Sequence, residues 1–166
     1  MNKVIFLDID GVLNNTAGRA AVKCQFHHVC TYANRPLAKT DLDINEDCMA
    51  RFGKLITEFD PDLVISSMWR FGSKMEWFTE MFALYGIRIP ANRISTIRTN
   101  DCEDIEGDRQ MWIEEYLADH PYDNYVMLDD TAFHFKSLYH PNLVLTDITF
   151  GFTDADYEKA RTILQK

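Results

Sequence analysis

Four short apolar runs recur along the chain: Val4–Leu7, Leu63–Ile65, Tyr125–Leu128 and Leu143–Leu145. Each contains β-branched residues and stops near a polar or acidic residue, the pattern of a buried strand. A further strand falls at Arg93–Ile97 or at Ile87–Ile89. Helical patterns lie between the strands. Asn45, with Glu46 and Asp47, forms an N-cap and an acidic first turn ahead of Met49, Phe52, Leu55, Ile56 and Phe59, and Pro61 stops that helix. Ser73 is the expected cap of a second helix, with Met75, Phe78, Phe82 and Leu84 inward and Gly86 closing it. A third runs from about Asp108, with Met111, Trp112, Glu115, Tyr116 and Leu117, and stops before Pro121. The last covers Asp154 to the C-terminus. Strands alternating with helices predict an α/β fold, a three-layer, Rossmann-like, mostly parallel sheet. In such sheets reactive groups collect beyond the carboxyl ends of the strands.

A length of 166 residues fits one domain, and no repeat or Pro/Gly linker divides it, so residues 1–166 are read as a single unit. Segment 14–42 breaks the alternation and is expected to form a flap or small cap. With 26 acidic against 17 basic residues the net charge is −9. That surface disfavours stable nonspecific nucleic-acid binding, yet leaves room for a local phosphate pocket and for carboxylates gathered around a divalent cation. No apolar run approaches the ~18–20 residues of a membrane span. The first seven residues reach Asp8 too soon for a signal peptide. Cys24, Cys30, Cys48 and Cys102 are too sparse for a disulfide scaffold, and the expected setting is cytoplasmic.

The chemistry concentrates at strand ends. Asp8-Ile9-Asp10-Gly11-Val12-Leu13 follows the first strand, and Gly11 lets the backbone turn so that both carboxylates can face one pocket. A plain turn would use the same residue types. Leu128-Asp129-Asp130-Thr131 repeats the pattern at another strand end. Four converging carboxylates repel one another without a cation, and hard oxygen ligands suit Mg²⁺.

On these residues the sequence resembles the haloacid dehalogenase-like (HAD) phosphatase superfamily. Asp8-Ile9-Asp10-Gly11-Val12-Leu13 is similar to its first motif, Ser66 to the Ser/Thr of its second, and Asp129-Asp130 to its acidic fourth, in the same order over roughly residues 3 to 150. The resemblance implies that Asp8 is the nucleophile and Asp10 the acid and base. It implies Mg²⁺ as the cofactor, held by the Asp8 carboxylate, the Asp10 carbonyl oxygen and the Asp130 carboxylate, with Asp129 assisting through water. Ser66 would bond the transferring phosphoryl group. The basic third motif, usually Lys, is missing, and Arg109 is the expected replacement, with Lys74, Arg98 and Lys136 as rivals. Val12 stands where the family often has Thr.

Ser66-Ser67-Met68-Trp69-Arg70 is similar to a run in HAD domains grouped with nucleic-acid repair proteins. This makes Ser67, Trp69 and Arg70 candidate substrate-binding residues, with Trp69 stacking on a base and Arg70 contacting phosphate. Alternatively Trp69 is core and Arg70 a surface cation. Cys24, His27, His28 and Cys30 match no standard zinc spacing. The expected function is therefore an Mg²⁺-dependent phosphatase acting on a nucleotide or a phosphorylated nucleic-acid end. Competing readings are a phosphatase for small metabolites or phosphoproteins, a non-catalytic binder of phosphorylated ligands on the same fold, and a receiver-type signalling domain.

Overall fold

The computed structural model describes residues 2–17, 36–71, 73–97, 108–138 and 140–166. Much of the expected flap therefore lies outside the described residues, including Cys24, His27, His28 and Cys30, as do Arg98 and Cys102. Among the described residues five strands form one sheet: β1 (Lys3–Leu7), β2 (Asp62–Ile65), β3 (Ile94–Thr96), β4 (Asn124–Asp129) and β5 (Leu143–Leu145). The spatial order is β3-β2-β1-β4-β5 and every pairing is parallel. Of the two candidates for the additional strand, the Arg93–Ile97 region supplies it; Ile87–Ile89 is not a strand, although Ile87 and Ile89 are buried.

Four described helices cover the sheet: α1 (Glu46–Phe59), α2 (Met75–Leu84), α3 (Asp108–Asp119) and α4 (Asp154–Leu164). Strand side chains alternate between faces, and the core divides accordingly. Ile5, Leu7, Leu63, Ile65, Val126 and Leu128 meet Met49, Phe52 and Leu55 of α1, Phe78, Met81 and Phe82 of α2, and Ala160, Ile163 and Leu164 of α4. Val4, Phe6, Val64 and Met127 face the other way, onto Trp112 and Ile113 of α3. This is the three-layer arrangement expected from the pattern.

Helix ends follow local chemistry, with one correction. The Asn45 side chain accepts from the N–H groups of Asp47 and Cys48, and Asp60 closes α1 in the left-handed conformation just before Pro61. Ser73 is not the cap of α2. Lys74 holds that position without a side-chain bond, so α2 starts one residue later than a Ser73 cap requires. In α3 Met111 is exposed, while its neighbours Trp112 and Ile113 are buried. No described helix is long and apolar enough to cross a membrane.

The chain leaves β1 toward β2 and β3, then crosses to β4 and β5 on the opposite side. The reversal opens a crevice at the carboxyl ends of β1 and β4, where open parallel sheets bind ligands.

Candidate active site

Register brings separate chain segments level at this crevice. Leu7 pairs with Ile65 and with Leu128, so the next residues, Asp8, Ser66 and Asp129, stand side by side at the carboxyl edge of the sheet, Asp129 as the last residue of β4. Backbone bonds continue the ladder past the strands. Asp8 N–H donates to Leu128 O at 2.9 Å, Ser66 N–H to Leu7 O at 2.9 Å, and Thr146 N–H to Asp129 O at 2.8 Å. The loops bearing the candidate residues are thus fixed by the sheet itself.

Arg109 enters from the first turn of α3. It is 4% exposed, and its Nη1 donates to both Asp8 Oδ2 and Asp129 Oδ2. Of its rivals, Lys74 and Lys136 are exposed, and only Arg109 among these described residues bridges the acids. Two buried carboxylates facing each other are tolerable because this guanidinium stands between them. The balance is unequal. Burial pushes the Asp8 carboxyl up despite the pull of Arg109, and the charge of Asp129 adds to the rise. Asp129 is buried as well, but Arg109 and the hydrogen bond from His134 outweigh its desolvation and hold it below the usual carboxylate range.

His134 was not singled out by the sequence. Its Nδ1 lies 3.2 Å from Asp129 Oδ1, which also accepts from the Thr131 N–H at 2.8 Å. Asp8, Asp129 and His134 place ligand atoms within 4.8 Å of one another, a buried group able to hold a metal ion. Arg109 already occupies two of the carboxylate oxygens in that group, so an ion seated centrally would face a fixed positive charge.

Asp130 offers a less obstructed position. Its carboxylate lies directly over Gly11, whose φ is +66°, and accepts from Thr131 Oγ1 at 3.0 Å. No basic side chain among the described residues pairs with it. Burial, with the charges of Asp8 and Asp129 beside it, pushes its carboxyl up to about 6. A half-buried acid raised in this way, next to a second acid, has the donor chemistry of a hard-cation site. The residues present therefore fit a divalent cation.

A Cβ on Gly11 would lie 2.2 Å from Asp130 Oδ2, and the position is left-handed as well. Gly11→Ala is expected to lower stability by about 1–3 kcal/mol and to displace Asp130. Chemical denaturation with and without Mg²⁺ checks this; an unchanged midpoint and an unchanged Mg²⁺ response would contradict the placement of Asp130.

The remaining candidates are less simply arranged. Asp10 is half-buried, and both its carboxylate oxygens are held: Asn14 Nδ2 donates to Oδ1 at 2.8 Å and Trp69 Nε1 to Oδ2 at 2.9 Å. Ser66 and Ser67 are buried at the end of β2. Trp69 is 5% exposed and lies against Trp77, with ring centroids 6.0 Å apart. Arg70 is not a surface cation: it is 4% exposed, its Nη1 donates to Ser66 O at 2.8 Å and Ser67 O at 2.9 Å, and it lies over Phe71 and near Trp112. Both side chains are thus turned into the protein rather than toward solvent.

A parallel α/β domain with paired acids beyond β1 and β4, and a basic residue between them, has the build of a HAD-like domain. The family model described as the HAD domain in Swiss Army Knife RNA repair proteins matches residues 4–157, and the chain belongs to that family. No curated protein and no solved structure gives a significant match.

Proposed function

We propose that this domain is an Mg²⁺-dependent phosphatase that removes a phosphate monoester from an RNA end through an aspartyl-phosphate on Asp8. The observation that carries the reading is the Asp8–Arg109–Asp129 bridge, with Asp10 and Asp130 beside it at the β1/β4 crevice. The RNA-end substrate rests on the family's description as a domain of RNA repair proteins.

In this reading an oxygen of Asp8 attacks phosphorus as the bond to the leaving oxygen breaks, and Asp10 gives that oxygen a proton. Water then attacks the phosphorus, Asp10 takes its proton, and the bond to Asp8 breaks to release inorganic phosphate. Asp8 is a weak nucleophile toward an anion, and Arg109 offsets part of the repulsion while fixing the direction of its carboxylate. Ser66 stands level with Asp8 and supplies a donor for a phosphoryl oxygen. Mg²⁺ bound by the Asp8 carboxylate, the Asp10 carbonyl oxygen and the Asp130 carboxylate would neutralise charge on the phosphoryl group. Asp129, fixed by Arg109, His134 and Thr131, holds that arrangement in place.

The test is a comparison of RNA oligonucleotides phosphorylated at the 3′ or the 5′ end, nucleotides, sugar phosphates and phosphopeptides. Release of phosphate from an RNA end in preference to the others is expected. A preference for sugar phosphates or phosphopeptides would overturn the substrate assignment.

Asp130 also sets a pH dependence for the cation. Its folded-state pKa is raised, so the fold retains its proton between the ordinary value and about 6. Its contribution to stability is therefore lost as pH rises through that window, and a cation that needs the ionised form competes with the proton. Mg²⁺ is expected to raise the melting temperature at about pH 7.5 and to lose that effect by about pH 5. An equal shift at both pH values would contradict Asp130 as a ligand.

A further inference from the structure

The Ser66-Ser67-Met68-Trp69-Arg70 run carries two large side chains that the sequence offers as substrate contacts, with core and surface as the alternatives, and that the fold turns inward. Resting on the phosphatase reading above, we propose that Trp69 and Asn14 are positioning residues that orient the Asp10 carboxylate toward the leaving oxygen, and that Trp69 does not stack on a base. The indole N–H can only donate, and it donates to Asp10 Oδ2 across 59 residues of chain, from the loop after β2 to the loop after β1. Asn14 holds the other oxygen. Its Nδ2 donates to Asp10 Oδ1 at 2.8 Å while its Oδ1 accepts from Gly11 N–H at 2.8 Å, so turning the amide over would sacrifice both bonds. The carboxylate is thereby held from two sides, each of them anchored in a buried element.

The anchorage of Trp69 is itself built. Ser67 Oγ accepts from the Trp69 N–H at 3.4 Å, starting the short turn Met68–Arg70. Beneath that turn the Arg70 guanidinium grips the carbonyls of Ser66 and Ser67. With Trp69 5% exposed and lying against Trp77, its ring presents little face to an incoming base. The Ser-Ser-x-Trp-Arg run is in this account a bracket: Arg70 fixes the turn, the turn fixes Trp69, and Trp69 fixes Asp10. A carboxylate that must meet one oxygen of a large, flexible substrate gains most from such support, because misplacement by about 1 Å costs on the order of 10²-fold in rate.

The test is the leaving-group dependence of kcat/KM, which reports the steps through departure of the leaving group. Trp69→Phe keeps an aromatic side chain and removes the N–H; Asn14→Ala removes the second donor. Each is expected to lower kcat/KM on glycerol phosphate, whose alkoxide needs a proton, by about 10–100-fold. On 4-nitrophenyl phosphate, whose leaving group departs without one, the loss is expected to be several-fold smaller. Equal losses on both substrates would indicate a structural role and overturn the proposal. A loss confined to nucleotides would restore Trp69 to base stacking and overturn it too. A second readout does not need turnover: the Trp69 indole N–H resonance, assigned by its disappearance in Trp69→Phe, is expected to move upfield in Asp10→Ala. An unmoved resonance would overturn the bond on which the proposal rests. If wild type were no faster than Asp8→Asn on every phosphate, the phosphatase reading itself would fail, and the role of Trp69 in catalysis with it, whatever the resonance showed.

Discussion

Replacing Asp8 by asparagine is expected to reduce phosphate release from any substrate by about 10³-fold or more while leaving the protein folded. The amide retains the size of the side chain and removes the carboxylate that the proposed attack requires. The fold should tolerate the change because Arg109 keeps Asp129 as its partner, and Asp8 is the carboxyl that burial already disfavours as an anion. A thermal melt alongside the assay separates lost chemistry from lost structure. Turnover near the wild-type rate in a folded Asp8→Asn variant would remove Asp8 as nucleophile.

Arg109→Met is expected to be the most destabilising single substitution at the site, by about 3–5 kcal/mol, and to abolish activity as well. The methionine fills much of the space but leaves Asp8 and Asp129 buried together without the cation that reconciles them. The pH dependence should change with it. In the wild type Asp129 is held low, so its contribution to stability is present above its ordinary pKa and fades as pH falls through the lower folded value. Without Arg109 the two acids are relieved by protonation, and the variant should gain stability relative to wild type on acidification. Urea denaturation at neutral and mildly acidic pH measures both effects. A loss under about 1 kcal/mol would place Arg109 at a solvated position and undo the bridge.

Much of this architecture was legible in the order of residues. Val4–Leu7, Leu63–Ile65 and Tyr125–Leu128 are apolar because both faces of those central strands are covered, and burial on two faces leaves a continuous run. The strands extend past the runs at Lys3, Asp62, Asn124 and Asp129, since backbone pairing does not require an apolar side chain. The placement of Asp8, Ser66 and Asp129 at the carboxyl ends of neighbouring strands follows from the same runs, because parallel register brings those ends level.

Side-chain direction was harder to read. An aromatic and an arginine after a strand can serve substrate or core, and only tertiary packing decides: Trp77, Phe71 and Trp112 surround the places where Trp69 and Arg70 lie. Asn14 and His134 carried no periodic signal. Each acts through one acid a few residues away, so its importance appears only once the turn that brings them together is formed. Asp10 and Asp130 were expected to join one cage with Asp8 and Asp129. In the fold the Asp10 carboxylate is engaged by Asn14 and Trp69, Arg109 supplies positive charge between Asp8 and Asp129, and Asp130 lies over Gly11 without a basic partner among the described residues.

The most direct test of the account is to trap phosphate on the protein. Radiolabelled 4-nitrophenyl phosphate, whose leaving group departs without a proton from Asp10, incubated with Asp10→Asn protein and Mg²⁺ and quenched in acid, should leave label on the peptide that contains Asp8. Asp8→Asn should carry none. Release of inorganic phosphate by the wild type with no label on Asp8 in the trapped protein, or with label on another residue, would contradict the mechanism proposed for this site.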